Sequence, residues 1–433
     1  MNKKILALAV AATMAAPMAA HADVKVSGIV QAEIISLEVA DGNEKLVAGM
    51  ANGDKEFDDM DRQTLTNDGL GTILNEGPNH IQFDFDEKLG GGLSAEARYI
   101  GAFNSSGNFG KALIGEEAWV GLRTPNFHVR YGTLTGVYKS SHTLVDPWAF
   151  TSLQARGTGG GMSGEYFNIP MAFKANGEPV FDQNGNPAIG GILVNQQLPQ
   201  KGLTNDGFVE GALELGINFG GFSASIQGIV DDTSNMDGAG LLELRYTAPQ
   251  FTMWLSGAYQ DLDDVTTDLE NIGTDFLNDT IRGDDEQEAE EDNLGLGNWK
   301  IGGQFRLGPM LTLGLQYEDA EIGALDTFVI NKKTGETLRN QDGGAYILGS
   351  LEFNRNNISI AGWVSGYLSD LEDDLAITDT EGNELGEDAL SWAVGLKYLF
   401  SKRTMVYAGY RQTDSDNDFR DENVATMGIR HVF

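Results

Sequence analysis

The chain has 433 residues, no cysteine and a formal charge of −35 at neutral pH. The missing thiols exclude a disulfide framework and thiolate chemistry, and the acidity weighs against nucleic-acid binding, which needs a basic face for the phosphates. Glycine is abundant, at 56, and proline sparse, at 10. That balance suits strands and tight turns better than helices, where each glycine costs stability.

The N-terminus opens with Lys3 and Lys4, then an apolar run from Ile5 to Ala16, then Ala20-His21-Ala22. Basic start, short apolar core and small-x-small exit are the parts of a secretory signal. Residues 1–22 are therefore expected to be removed and Asp23 to begin the mature chain. No later segment offers about 18 consecutive apolar residues, so no transmembrane helix is expected.

From Val24 onward one unit repeats: about ten alternating residues, then a break that is alternately very short and long. In Asn79–Lys88, Ile81, Phe83 and Phe85 share one face while Gln82, Asp84 and Asp86 share the other. Successive side chains of a strand point to opposite faces, so this strand has an apolar side and an acidic side. Leu93–Phe103 returns after Gly90-Gly91-Gly92. Ile114–Arg123 and Phe127–Gly132 flank Thr124-Pro125-Asn126. Further pairs follow: Gly207–Phe219 with Phe222–Val230, Leu241–Thr247 with Phe251–Gln260, and Trp299–Leu307 with Met310–Asp319. Ala345–Phe353 with Asn357–Tyr367 and Ala389–Phe400 with Thr404–Thr413 continue the pattern, and Val24–Leu37 and Val424–Phe433 stand at the two ends.

The reading is all-β: a 16-stranded antiparallel transmembrane β-barrel over residues 23–433, with short periplasmic turns and long extracellular loops. In hydrocarbon an unpaired backbone group is too costly, so only helices and closed barrels span. Phe127, Phe219, Phe222, Tyr246, Phe251, Phe305, Phe353, Phe400 and Phe433 all lie beside the short turns, where an interfacial girdle belongs.

Four stretches stand out: Asp23-Val-Lys-Val-Ser-Gly28, Leu89-Gly-Gly-Gly-Leu-Ser-Ala-Glu96, Glu117-Ala-Trp-Val-Gly-Leu122 with Arg130-Tyr-Gly132, and the final Gly428-Ile-Arg-His-Val-Phe433. In this order they resemble the general porins of Gram-negative outer membranes. The resemblance implies a water-filled channel for passive diffusion of ions and small hydrophilic solutes. It also implies a homotrimer set among outer-membrane lipid and lipopolysaccharide, and no cofactor, metal or catalytic residue. Phe433 would serve as the assembly signal. The third loop, about residues 138–205, would fold inward and constrict the pore. Its acids Asp146, Glu165, Glu178 and Asp182 would face the wall residues Arg98, Arg123 and Arg130, or pair-forming neighbours such as Glu96 and Glu117 would hold those arginines. More distant lumen cations would be Arg245, Lys300, Arg306, Lys397 and Arg430. Two departures stand out: the third loop is long, and Ile29 stands where family members often carry a lumen arginine. With the net acidity, the expected preference is for cations.

Other motifs are declined. Gly159–Gly164 matches a phosphate-loop spacing without a strand-turn-helix context. Asp414-Ser-Asp416-Asn-Asp418 begins like a calcium loop but lacks its glycine and distal acid. Asp284–Asp292 is a hydrated charge run. No G-x-S-x-G elbow accompanies Ser140, Ser141 and His142, so no hydrolase is expected. Alternatives are an oligosaccharide-selective channel, to which Trp148, Phe150, Tyr166 and Phe167 would contribute, and a surface adhesin or receptor barrel.

Overall fold

The structure is a computed structural model. It describes residues 23–39, 63–66, 79–103, 114–155, 208–230, 240–261, 295–322, 341–368, 377–378, 384–385, 388–415 and 422–433. The expected signal, residues 1–22, lies outside them, as does most of the third loop.

Sixteen long strands make the barrel. They are β1 (Asp23–Val39), β2 (His80–Gly90), β3 (Leu93–Ala102), β4 (Ile114–Arg123), β5 (Phe127–Thr135), β6 (Phe208–Phe219), β7 (Phe222–Ile229) and β8 (Gly240–Thr247). Then follow β9 (Phe251–Asp261), β10 (Gly295–Leu307), β11 (Leu311–Ile322), β12 (Gln341–Arg355), β13 (Ile358–Leu368), β14 (Ala389–Leu399), β15 (Thr404–Ser415) and β16 (Glu422–Val432). Each pairs antiparallel with the next, and β1 closes on β16 from Ile29↔Val432 to Val39↔Glu422. On its other side β1 is shared. Asp23–Ile29 pairs with β2, while Ile34–Leu37 pairs with the short strand Gln63–Thr66. Closure leaves no sheet edge along the β1–β16 seam.

The turns are made by residues that suit them. Gly220, at φ +61°, joins β6 to β7 in a two-residue turn where a β-carbon would be strained. Asn356 takes a left-handed conformation in the turn after β12, and asparagine tolerates that better than most residues.

Period-two alternation assigns the faces. On β13, Ser359, Ala361, Trp363, Ser365 and Tyr367 are buried inward while Ile358, Ile360, Val364 and Leu368 are exposed outward. The outward face carries an apolar band: Val30, Ile34, Val120, Leu215, Ile226, Leu255, Ile301, Leu315, Leu351, Val394 and Ile429 are all exposed. Aromatic rims bound it. Tyr246, Phe251 and Phe305 pack in a row near the short turns, and Tyr398 meets Phe400 at 5.1 Å. Trp299 with Tyr317, at 5.3 Å, and Trp392 with Tyr410, at 5.5 Å, sit toward the other end. Phe251 and Tyr259 are eight steps apart on β9. At about 3.3 Å per residue and a tilt near 40°, the band between the rims is roughly 20 Å tall. An apolar belt of this height fits hydrocarbon, and none of the described helices is long or apolar enough to cross a membrane.

Arginine in place of Val394, midway along β14 and outward, should cost about 2–4 kcal/mol. Urea unfolding in lipid vesicles measures this. A cost under about 0.5 kcal/mol, the usual effect of a neutral surface site, would show that this face does not meet lipid.

Candidate functional site

Residues 136–155 run through the interior. This strap leaves β5, forms the short helix α1 (Val137–His142), and then runs irregularly along the inside of the wall. Irregular backbone buried against the wall must find hydrogen-bond partners there, because water does not reach it. The wall supplies them strand by strand. Gln227 on β7 accepts from the Val137 amide at 3.0 Å. Ser256 on β9 reaches the Ser141 hydroxyl at 3.1 Å. Gln304 on β10 and Ser350 on β12 donate to the carbonyls of Leu144 and Val145. Lys397 on β14 donates to the Pro147 carbonyl at 2.6 Å. Arg430 on β16 donates to the carbonyls of Ala149 and Phe150, and Gln31 on β1 also donates to Phe150. Trp363, Arg411 and Tyr346 take the carbonyls of Leu153, Gln154 and Ala155.

Apolar packing backs these bonds. Val145, Trp148, Leu153 and Ala155 bury against Leu348, Ala361, Trp363, Ala393, Tyr407 and Val424. A second cluster seats α1: Val137 and Tyr138 against Trp119, Leu134, Val209, Ala212, Leu241 and Ala258. Tyr138 donates to the Glu318 carboxylate at 2.7 Å, and the Lys300 ammonium lies 3.9 Å from its ring centroid. Burial, followed by the Glu318 charge, pushes the Tyr138 phenol well above its ordinary value, so it stays a neutral donor. Phe150 holds a positive φ of 64°, a strained backbone for an aromatic residue, at the point where two wall side chains grip its carbonyl.

Across the lumen, β2–β6 present a charged wall; α1 packs against its inward residues Trp119, Leu134, Val209 and Ala212, while the strap beyond α1 bonds the opposite side. Arg98 Nε pairs with Asp84 at 2.7 Å, and its Nη1 is 3.7 Å from Glu117. Arg123 bonds Asp86 and lies 3.2 Å from Glu96. Arg130 bonds Glu96 at 2.8 Å and Glu214 at 3.0 Å, and His128 joins Glu214 at 2.8 Å. Trp119 lies between two guanidinium groups, with Arg98 5.6 Å and Arg130 4.6 Å from its ring. Opposite Trp119 stands Gly132, at φ +139°, where a β-carbon would strike the Ala118 carbonyl and the Trp119 backbone.

Of the residues singled out in sequence, Arg98, Arg123 and Arg130 thus lie together on one lumen wall, each ion-paired. Asp146 is placed elsewhere. Its side chain is fully buried within the strap, accepting the amides of Trp148 and Ala155 at 2.8 Å each, with His142 at 3.7 Å. Glu165, Glu178 and Asp182, with Tyr166 and Phe167, lie outside the described residues. Trp148 is turned into the wall, donating to the Ala361 carbonyl, rather than along the path of a solute. Phe433 pairs its backbone with Gly28, and its ring covers that glycine. Lys300, Lys397 and Arg430 bind the strap, Arg245 pairs with Glu243, and Arg306 bonds Gln304 at the rim. Sequence reading passed over Gln31, Glu33, Glu214 and Gln227. Each sits at an inward position of an alternating strand, which was the signal that could have found them.

A Gram-negative porin family model matches residues 7–418. A comparison with curated proteins found no match. Among solved structures, the chain resembles OmpT of Vibrio cholerae, solved in trimer form, at TM-score 0.55 and 11% identity, over 95% of this chain and 99% of that one. It resembles an anion-selective porin from Comamonas acidovorans at TM-score 0.54 and 14% identity, over 95% and 100%. It also resembles the outer membrane channel DcaP of Acinetobacter baumannii at TM-score 0.52 and 11% identity, over 95% and 97%. At such identities these likenesses show the fold alone. Family and fold together point to a channel rather than an enzyme. The chain belongs to the Gram-negative porin family and forms a 16-stranded outer-membrane channel for passive diffusion.

Proposed function

We propose that this channel prefers cations, works without chemistry or cofactor of its own, and assembles as a homotrimer among outer-membrane lipid and lipopolysaccharide once residues 1–22 are removed. One observation carries the preference. On the β2–β6 wall, the carboxylates of Asp84, Asp86, Glu96, Glu117 and Glu214 outnumber the cationic side chains of Arg98, Arg123, Arg130 and the adjoining Lys25 of β1. On the opposite side, Lys397, Arg411 and Arg430 spend hydrogen bonds on strap carbonyls, which turns their charge away from a passing ion. A narrow lumen with low-dielectric walls focuses the remaining field, so a small surplus of carboxylate charge decides the preference. In this reading Arg98, Arg123 and Arg130 tune the wall, and Asp146 fixes the constriction instead of facing the solute. An oligosaccharide-selective path draws no support from Trp148, which is buried. The homotrimer draws on the trimer form of the Vibrio cholerae relative.

Reversal potential in a potassium chloride gradient is the deciding measurement. A cation-selective reversal is expected, and an anion-selective one would overturn the proposal. Glu96→Gln removes a partner of both Arg123 and Arg130, and it should shift the permeability ratio toward chloride by roughly fivefold, the equivalent of ~1 kcal/mol. The preference should shrink between 0.1 and 1 M salt, as the screening length falls from about 10 to about 3 Å.

Asp146→Ala strips the acceptor from two buried amides, each worth about 1–3 kcal/mol. Single-channel recordings should show a noisier, larger conductance as the strap loosens, with Asp146→Asn between it and the parent. Native mass spectrometry in mild detergent should give three chains, each beginning at Asp23.

A further inference from the structure

Between the strap and the short-turn rim lies a cavity of about 270 Å³, lined by residues 143–147, Ala149 and Phe150 from above and by Gln304, Thr312, Gly314, Ser350, Glu352 and Arg430 from the wall. At ~30 Å³ per water it holds about nine waters, or one molecule the size of a dipeptide. Its wall residues come from the last rungs of β10, β12 and β16 and the first of β11, so it faces the short-turn mouth.

Two charged groups enter it with bonding capacity left over. Glu352 Oε1 accepts from Ser359 at 2.7 Å and from Lys397 at 2.9 Å. Its Oε2 has no hydrogen-bond partner among the described residues. Arg430 uses Nε on Gln31 and Nη2 on the carbonyls of Ala149 and Phe150. Its Nη1, with two N–H donors, has none among the described residues. The Thr312 hydroxyl is likewise unbonded among them. So the cavity offers a carboxylate oxygen at one place and a guanidinium edge at another, with a hydroxyl on the same lining.

The two charges stand apart. Their strands, β12 and β16, are four spacings apart, roughly 19 Å at the backbone at about 4.8 Å each. The side chains close much of that gap by converging on strap carbonyls two residues apart, Pro147 through Lys397 and Ala149 through Arg430. Lys397, the Pro147 carbonyl and the Ala149 carbonyl come between the two side chains. An α-amino acid carries its ammonium and carboxylate on one carbon and matches such a pair poorly. A linear molecule with the two charges at its ends matches it well. Lys397 balances Glu352 and Glu33 stands beside Arg430, so a ligand of zero net charge leaves the site neutral, as a partly enclosed site requires.

We propose that this cavity binds a short unblocked peptide, its ammonium on Glu352 and its carboxylate on Arg430, entering from the short-turn mouth. Arginine suits the carboxylate end because its fork bonds both oxygens. Occupancy beneath the strap narrows the conduit from that side.

The test is a single-channel recording of the full protein with glycylglycine in either chamber. N-acetylglycylglycine, without the ammonium, and glycylglycinamide, without the carboxylate, are the controls. Glycylglycine should reduce the current saturably from the short-turn side alone, and each blocked form should act at least tenfold more weakly. Glu352→Gln should weaken glycylglycine about tenfold yet leave the residual effect of N-acetylglycylglycine unchanged, because that ligand has no ammonium to lose. Equal action by the three ligands would overturn the proposal. So would an effect that is the same from both sides, or no saturable effect up to about 10 mM. If the variant fails to assemble, the three ligands on the parent protein still decide.

Discussion

The carbonyls of the strap between Leu144 and Ala155 have no helix or sheet to bond to, and they lie inside the barrel. Each unbonded one would cost about as much as several ordinary contacts contribute. Side chains from seven different strands remove that cost, from Gln304 on β10 round to Gln31 on β1. This ring of wall donors is the constraint on which the interior depends. It holds the strap along one side of the lumen, and so decides which wall a solute meets.

The donors most able to reach across such a gap are long and cationic, namely Lys397, Arg411 and Arg430. Their employment on backbone carbonyls has an electrostatic consequence. Cations that alternation places in the lumen are removed from it by the very segment they hold. On β2–β6 the arginines pair instead with carboxylates of the same wall. The field in the passage is thus set by an imbalance local to β2–β6, not by the chain's total charge, most of which cannot act through a screened surface.

Alternation made the barrel legible. Phe83 and Phe85 against Asp84 and Asp86 state both faces of β2 without any tertiary information. The arginine wall was legible for the same reason, since Arg98, Arg123 and Arg130 occupy inward parities near one another in strand order. Asp146 was not. Its type and loop suggested a pore-facing acid, yet a carboxylate two residues before Trp148 can also bond that residue's amide, and the choice rests on packing that pattern alone does not encode. Trp148 is similar: an aromatic in a loop reads as a lining residue until Ala361, Ala393 and Tyr407 are seen to form its seat. Those residues were readable as inward, but not as a floor, because a lumen is expected to be wet.

That floor is what separates this interior from a plain water-filled tube. Where the strap sits, its wall donors stand among apolar or small inward positions: Leu348, Ala361, Ala393 and Val424. Where it does not, they are Asp84, Asp86, Glu96, Arg98 and Arg130. The inner face of the barrel is therefore itself two-sided, half of it packed as a core and half of it solvated. A core resists displacement because its contacts are lost together. The strap is accordingly seated by packing and by the donor ring at once, and Phe150 can hold its strained backbone because both act on it. Mutations on the packed half act first on how wide the passage is. Mutations on the solvated half act first on which ions it favours. The two properties can then change separately, although both are written on the inward face of one sheet.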